Sequence, residues 1–177
     1  EILKEANALA NQGIKELIII AQDTTRYGYD LYGEEKLSAL LTRLSEIESI
    51  AWIRVHYMYP ESITDSMIDV FKENEKVVKY MDIPIQHISD RMLSAMNRHG
   101  GKALIEDTVK KLRERVPGIT LRTTAMVGFP GETEEDFEET MDVVRQVRYD
   151  SAFTFLYSKR TGTPAAAMED QIPKEVA

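Results

Sequence analysis

The segment VGFPGETEEDF, residues 127–137, places two glycines, a proline and four acidic residues between a predicted strand and a predicted helix. A turn of this kind binds phosphate when the N–H groups at the start of the helix are free and a lysine follows. Here four carboxylates crowd that position and no lysine follows, so phosphate binding is disfavoured. We predict instead that Thr133 and Asp136 form a capping box, and that the glycines let the backbone come close to a ligand.

Basic side chains on two other predicted strands could bind a carboxylate. Arg54 and His56 alternate on one face of residues 51–58, and Arg122 lies on one face of residues 119–128. If both faces point inward, these side chains line an interior in which a bidentate arginine suits a carboxylate. The alternative is that each arginine reaches solvent or pairs with a neighbouring acid, and the sequence leaves both open.

Metal-binding patterns are absent from the sequence. His56, His87 and His99 lack the close spacing of a zinc site. The chain has no cysteine, which excludes disulfides and thiolate metal ligands within these residues. We therefore expect no metal site built from this chain.

Composition narrows the class of protein. The net charge of −8 argues against a broad phosphate-binding surface, although a small basic pocket is compatible with it. The 177 residues are 43% hydrophobic and include no apolar run of membrane-spanning length, which indicates a globular, cytoplasmic protein with no membrane partner. Because the chain has no signal peptide and does not begin with methionine, we expect it to be a fragment of a longer protein.

Periodicity predicts an α/β fold in which strands and helices alternate. This order favours a parallel sheet with right-handed crossovers, either an open doubly wound sheet or part of a barrel. The predicted strands are residues 16–20, 51–57, 80–85, 119–127 and 151–157. The predicted helices are residues 2–12, a segment centred on 37–47, and residues 64–74, 89–97, 102–116 and 133–147.

The segments after the predicted strands are polar, aromatic or glycine-rich. Chemistry in parallel α/β folds gathers at the carboxyl ends of the strands, so we expect the site at this rim. The five segments are AQDTTRYG (21–28), HYMYP (56–60), QHISD (86–90), GFPGET (128–133) and YSKRTGTP (157–164).

Four longer segments together resemble the radical S-adenosylmethionine (SAM) methylthiotransferases: IIIAQDTTRYGYDLYG, HYMYPESITD, DIPIQHISDRMLSAMNRHG and LRTTAMVGFPGETEEDFEE. Within that family they are similar to the enzymes that methylthiolate an aspartate of a small-subunit ribosomal protein. Residues 149–173 look more like the sister enzymes that methylthiolate a tRNA adenosine beside the anticodon. A chimera and a divergent subfamily both account for this mixture.

The resemblance implies a partial (β/α)6 radical-SAM barrel that lacks its first strand, with a parallel sheet and outer helices. SAM is then expected to lie across the strand ends, while no catalytic residue is identified. Expected ligand-binding residues are Gln22, Asp23 and Thr24 at the methionine amino group, Gln86 and His87 at the ribose, Arg122 at the methionine carboxylate, and Gly128 and Phe129 at the adenosine.

The resemblance also implies partners and cofactors for a full-length parent. These are two [4Fe–4S] clusters, an electron donor and a small-subunit ribosomal protein, with tRNA as the alternative substrate. Residues 1–177 are expected to be the central barrel fragment, without the N-terminal cluster domain, the cluster motif or the C-terminal substrate-binding domain. By itself this chain is expected to be inactive, and a non-catalytic α/β binding domain is a further alternative.

Overall fold

The computed structural model describes residues 1–177, and all of its strands pair in parallel. The strands are β1 Glu16–Ile19, β2 Trp52–Val55, β3 Tyr80–Gln86, β4 Thr120–Val127 and β5 Ser151–Leu156. β1 pairs with β2, and β3 pairs with β4, which pairs with β5. A bridge between Ile53 and Val77, and a 2.9 Å hydrogen bond from the Met58 N–H to the Asp82 carbonyl, join the two groups. The strands thus follow one another in chain order.

Helices separate the strands, as the sequence predicts. They are α1 Ile2–Asn11, α2 Tyr29–Tyr32, α3 Leu37–Ser45, α4 Asp65–Glu73, α5 Asp90–Ala95, α6 Gly101–Arg115 and α7 Glu134–Val147. Short 3-10 helices occupy Thr24–Arg26, Pro60–Ser62 and Pro164–Ala167. Periodicity predicted neither α2 nor the three 3-10 helices, because one turn of helix leaves no periodic pattern.

Burial explains where the longer helices form. α3 repeats leucine at the spacing of one helical face, and all four of its leucines are buried. Thr64 begins α4 by accepting a hydrogen bond from the Met67 N–H at 3.3 Å, which confirms the predicted N-cap. One cluster of 27 buried hydrophobic residues then fills the space between the helices and the sheet.

The two faces of the sheet differ in exposure. On β4, Leu121 and Thr123 are buried against the helices, whereas Arg122 and Thr124 on the other face are partly exposed. On β5, Phe153 and Phe155 each remain 52% exposed on that second face. The helices therefore cover one side of the sheet as far as β4 and leave the other accessible, whereas β5 is exposed along its whole length.

Two strand ends adopt unusual backbone geometry. Pro84 interrupts β3, where it cannot donate a ladder hydrogen bond, and the pairing register shifts between Ile83 and Gln86. Gln86 has a φ of 67° and Tyr57 a φ of 58°, in the left-handed region that non-glycine residues rarely adopt. The reversal at Tyr57 ends β2 earlier than the predicted 51–57, and such strain is typical of functional sites.

None of the helices is both long and apolar enough to cross a membrane.

Candidate functional site

A cleft of about 400 Å³ lies on the accessible face of the sheet, from the middle of β4 and β5 to the carboxyl ends of β1, β2 and β3. Gln22 and Gln86, from the predicted rim segments, line it together with Arg122, from the predicted inward face of residues 119–128. The complete lining is Gln22, Tyr57, Tyr59, Pro84, Gln86, Arg98, Arg122, Thr124, Phe153 and Phe155.

Asp23 and Thr24 shape the loop that presents Gln22. Thr24 is buried; its N–H donates to the Tyr57 carbonyl at 3.1 Å, and its hydroxyl donates to the His56 carbonyl. Asp23 accepts the Thr25 N–H at 3.1 Å and so begins the first 3-10 helix. The structure therefore places both residues in the wall behind the cleft and Gln22 on its surface.

Arg122 is bound by an acid of its own chain. Its Nε and Nη2 donate to the two carboxylate oxygens of Asp82, at 2.9 and 2.7 Å. Asp82 is fully buried, and its hydrogen bond with Arg122 raises the pKa of the guanidinium. Arg54 likewise donates to Glu16 at 2.8 Å. Of the two alternatives left open by the sequence, the structure shows both arginines paired with acids.

His87 follows the end of β3 and does not line the cleft, unlike its neighbour Gln86. It is fully buried, and its Nδ1 accepts the Ser89 N–H at 3.1 Å. Its Nε2 therefore carries the proton in the neutral ring and lies 3.2 Å from an oxygen of Glu132. His87 thus supports the turn after β4 through its contact with Glu132.

Glu132 organises the turn after β4. Its carboxylate accepts the N–H groups of Gly128 and Phe129, the latter at 3.1 Å. Phe129 is buried, and its ring centroid lies 5.3 Å from that of Tyr157. Gly128 lines a separate cavity of about 330 Å³. Neither residue lines the cleft that Gln22 and Gln86 share.

The predicted capping box at α7 is confirmed. Thr133 Oγ1 accepts the Asp136 N–H at 3.3 Å, and Asp136 accepts the Thr133 N–H at 2.9 Å. Burial opposes ionisation of Asp136, but hydrogen bonds from Ser89, Thr133 and Arg91 outweigh it and lower its pKa to about 2. The acidic residue Asp136 therefore stabilises the N-terminus of α7.

Arg98 and the aromatic side chains that line the cleft were not among the site residues predicted from the sequence. Tyr57 and Tyr59 lie in HYMYP, a segment expected at the rim, and Phe153 and Phe155 alternate on the last strand. The strand-end and alternation rules could therefore have predicted those four residues as part of the site. Arg98 follows a helix, and no strand-end rule leads to it.

Comparison with known proteins establishes the family. The Radical SAM superfamily matches residues 1–144 of the chain.

The chain belongs to the radical SAM superfamily.

Solved structures support the same fold for this radical SAM chain. A radical S-adenosylmethionine methyltransferase, TsrM, from Kitasatospora setae superposes with a TM-score of 0.70 at 18% identity, covering 93% of this chain and 30% of that one. Coproporphyrinogen III oxidase (HemN) from Escherichia coli superposes with a TM-score of 0.61 at 20% identity, covering 77% and 33%. At these identities the likeness concerns the fold alone.

Two curated relatives of this radical SAM chain are each named ribosomal protein uS12 methylthiotransferase RimO. The relative from Alkaliphilus oremlandii is 54% identical over 97% of this chain and 39% of its own length. The relative from Pelotomaculum thermopropionicum is 52% identical over 99% of this chain and 40% of its own length. The chain thus spans about two-fifths of the relatives it matches.

The cleft fits SAM, whereas the chain does not fit an iron–sulfur cluster. Two guanidinium groups, two side-chain amides and four aromatic rings line the cleft, and no acidic side chain does. That lining suits a nucleoside bearing a carboxylate, and the volume is within the usual range for ligand sites. Cysteine is absent, and no group of three or more possible metal ligands is present, so these residues cannot hold a [4Fe–4S] cluster.

Proposed function

We propose that this chain is the SAM-binding barrel of a radical SAM methylthiotransferase that modifies an aspartate of ribosomal protein uS12. One observation carries the proposal, namely 54% identity over 97% of the chain to a relative named for uS12 methylthiolation. A second relative, from Clostridium tetani, aligns over 176 residues and therefore includes residues 149–173. The part of the sequence that resembles the tRNA enzymes is thus also matched by uS12 enzymes.

The proposed fold is a partial (β/α)6 barrel in which the five strands follow an absent first strand. Two features support it. β1 pairs only with β2, so its other edge is open. Ile18 and Ile20 beside that edge are 52% and 62% exposed, which suits contact with a further element.

In this proposal SAM spans the cleft, with Gln22 near its amino group and Gln86 near its ribose. An arginine of the cleft binds the carboxylate, and the aromatic side chains pack against the nucleoside and exclude water. Asp23, Thr24 and His87 do not contact SAM and instead support the loops that line the cleft. Gly128 and Phe129 stabilise the turn after β4 through their hydrogen bonds to Glu132. When bound, SAM supplies the reactive adenosyl and methyl groups.

In this proposal the clusters are held by other segments of the parent protein, and the electron donor is a separate partner. The chain by itself is therefore expected to be inactive, because cysteine is absent from it. The proposed protein substrate is uS12, and tRNA remains the alternative.

The test is an assay of the full-length parent, with reconstituted clusters and SAM, on uS12 and on tRNA in parallel. We expect mass spectrometry to find a methylthio group on a uS12 aspartate and none on the tRNA. Modification of the tRNA alone would replace this proposal with the tRNA alternative. Modification of neither substrate by a protein that also fails to cleave SAM would favour the non-catalytic binding domain.

A further inference from the structure

The backbone reversal at Tyr57 moves its side chain out of the core. Ile53 and Val55 of β2 are fully buried, and alternation along an extended strand would bury residue 57 next. Tyr57 instead has a φ of 58°, lines the cleft and is 42% exposed. Met58 takes the buried position in its place. The left-handed conformation therefore turns the Tyr57 ring from the core to the cleft.

Two buried residues, Thr24 and Asp82, hold this conformation. The Thr24 N–H donates to the Tyr57 carbonyl at 3.1 Å, and its hydroxyl donates to the His56 carbonyl. The Asp82 carboxylate accepts the Tyr57 N–H at 3.4 Å, and the Asp82 carbonyl accepts the Met58 N–H at 2.9 Å. Such backbone strain persists only where the surroundings fix it, and it concentrates at functional sites. The strain thus indicates that the ring has a function in the cleft.

Tyr57 also keeps a ring face that no cation of the chain occupies. Tyr59 and Phe153 already stack on guanidinium groups of the cleft, whose central carbons lie 4.3 and 4.8 Å from the ring centroids. The Tyr57 ring has no such partner, and its centroid lies 5.9 Å from that of the His56 ring. Because the face of an aromatic ring attracts cations, Tyr57 is able to bind a positively charged group of a ligand.

Strand order places Tyr57 between two residues assigned to different parts of the ligand. β2 lies between β1 and β3, and Gln22, Tyr57 and Gln86 follow or end these strands and line the cleft together. In the proposed function Gln22 lies near the amino group of SAM and Gln86 near its ribose. The sulfonium joins those two parts of the molecule, so it falls beside Tyr57.

We propose that the Tyr57 ring binds the sulfonium of SAM through a cation–π contact and so selects SAM over its neutral thioether counterpart, S-adenosylhomocysteine. This inference rests on the proposed function, which places SAM in the cleft. The strained backbone is retained because an extended one would send the ring into the core.

The test compares SAM with S-adenosylhomocysteine, which lacks the methyl group and the positive charge. Isothermal titration of the 177-residue chain measures both affinities in wild type, Tyr57→Leu and Tyr57→Phe. We expect wild type to prefer SAM about fivefold, the size of one cation–π contact at a partly exposed ring. Tyr57→Leu should abolish the preference, and Tyr57→Phe, which keeps a ring, should restore it. A Tyr57→Leu variant that prefers SAM as strongly as wild type overturns the proposal.

Glycine and alanine at position 57 test the strain separately, because both remove the ring and differ only in backbone freedom. Tyr57→Gly should melt about 3 °C above Tyr57→Ala, since glycine adopts a positive φ readily, and neither variant should prefer SAM. The matched control is Arg148, which has a φ of 52° at the end of α7 and does not line the cleft. Arg148→Gly should likewise melt above Arg148→Ala, and both should keep the preference. Equal melting of the two Tyr57 variants would refute the strain on which the inference depends.

The wild-type titrations separate this inference from the function beneath it. If the chain binds neither nucleoside at millimolar concentration, the SAM cleft itself is refuted, and the role of Tyr57 is refuted with it. If the chain binds SAM and S-adenosylhomocysteine equally well, only the role of Tyr57 is refuted.

Discussion

At the scale of single residues, Asp82 links three strands at the floor of the cleft. It lies on β3 and accepts two hydrogen bonds from Arg122 on β4. One of its oxygens also lies 3.4 Å from the Tyr57 N–H, just after β2. The carboxylate thus supports the left-handed backbone at Tyr57 as well as the guanidinium. A buried charge with such partners is costly to leave unpaired.

We predict that removing one partner of this pair is strongly destabilising. Arg122→Met leaves Asp82 buried without its counter-ion, which should lower the free energy of unfolding by about 3–5 kcal/mol. Urea denaturation measures this change. The double variant Asp82→Asn/Arg122→Met should lose less than the sum of the single variants, because each single change leaves the other group unsatisfied.

The matched control is Glu16→Gln in the Glu16–Arg54 pair. Both of its side chains are about one-third exposed, at 32% and 31%. Solvent screening at that exposure should limit the loss to less than about 1 kcal/mol. An Arg122→Met effect no larger than the Glu16→Gln effect would show that the buried pair contributes little.

At the scale of elements, the start of α7 connects the turn after β4 to the segment after β3. Asp136 caps the helix, accepts the Ser89 hydroxyl at 2.5 Å, and pairs with Arg91. Glu132 holds the turn and contacts His87. Two carboxylates therefore fix the distance between these loops, and both act on backbone or side-chain donors of the chain itself.

We predict that the contribution of Asp136 to stability is lost in acid. Its folded pKa of about 2 lies below the ordinary value of 3.8, so the native state favours the ionised form. The stabilisation, roughly 2 kcal/mol, is then fully present above pH 4 to 5 and decreases as the pH falls toward 2. Urea denaturation of wild type and Asp136→Asn between pH 6 and pH 3 should show a difference that narrows below pH 4.

Asp30→Asn serves as the control, because Asp30 is exposed on α2. It should change the free energy of unfolding by less than about 0.5 kcal/mol across this range, as ordinary surface substitutions do. A constant difference between wild type and Asp136→Asn down to pH 3 would contradict the assigned role of Asp136.

At the scale of the whole molecule, the sheet has two open edges and one uncovered face. β1 and β5 each pair on one side only. The large apolar side chains left exposed on that face or beside those edges include Ile18, Ile20, Trp52, Phe153, Phe155 and Leu156. Contiguous exposed apolar surface and open strand edges both favour association with other chains.

We predict that the 177-residue chain self-associates when it is expressed by itself. Analytical ultracentrifugation should find dimers or larger species at micromolar concentration. Charges on edge strands oppose such pairing, so Ile18→Lys should shift the equilibrium toward monomer. Leu31→Lys, on the exposed α2 away from the strand edges, is the matched control. A monodisperse wild-type monomer would contradict the prediction.

Local patterns in the sequence were sufficient for the elements and for the rim. The periodic leucines of α3, the cap at Thr64 and the capping box of α7 depend on residues within a few positions of one another, and each is confirmed. The strand-end rule placed Gln22 and Gln86 at one cleft, and strand alternation placed Arg122 on the face that lines it. These predictions succeed because alternation and capping are short-range properties of the chain.

Contacts between distant segments were decided only by the tertiary structure. The partner of Arg122 is 40 residues away at Asp82, and that of His87 is 45 residues away at Glu132. Sequence spacing carries no record of such pairs, since any of the 30 acidic residues could have been the partner. Arg98 enters the cleft because a left-handed residue reverses the chain after α5. The sequence alone thus determined which elements form and which rim they share, while packing decided which charges are neutralised within the chain.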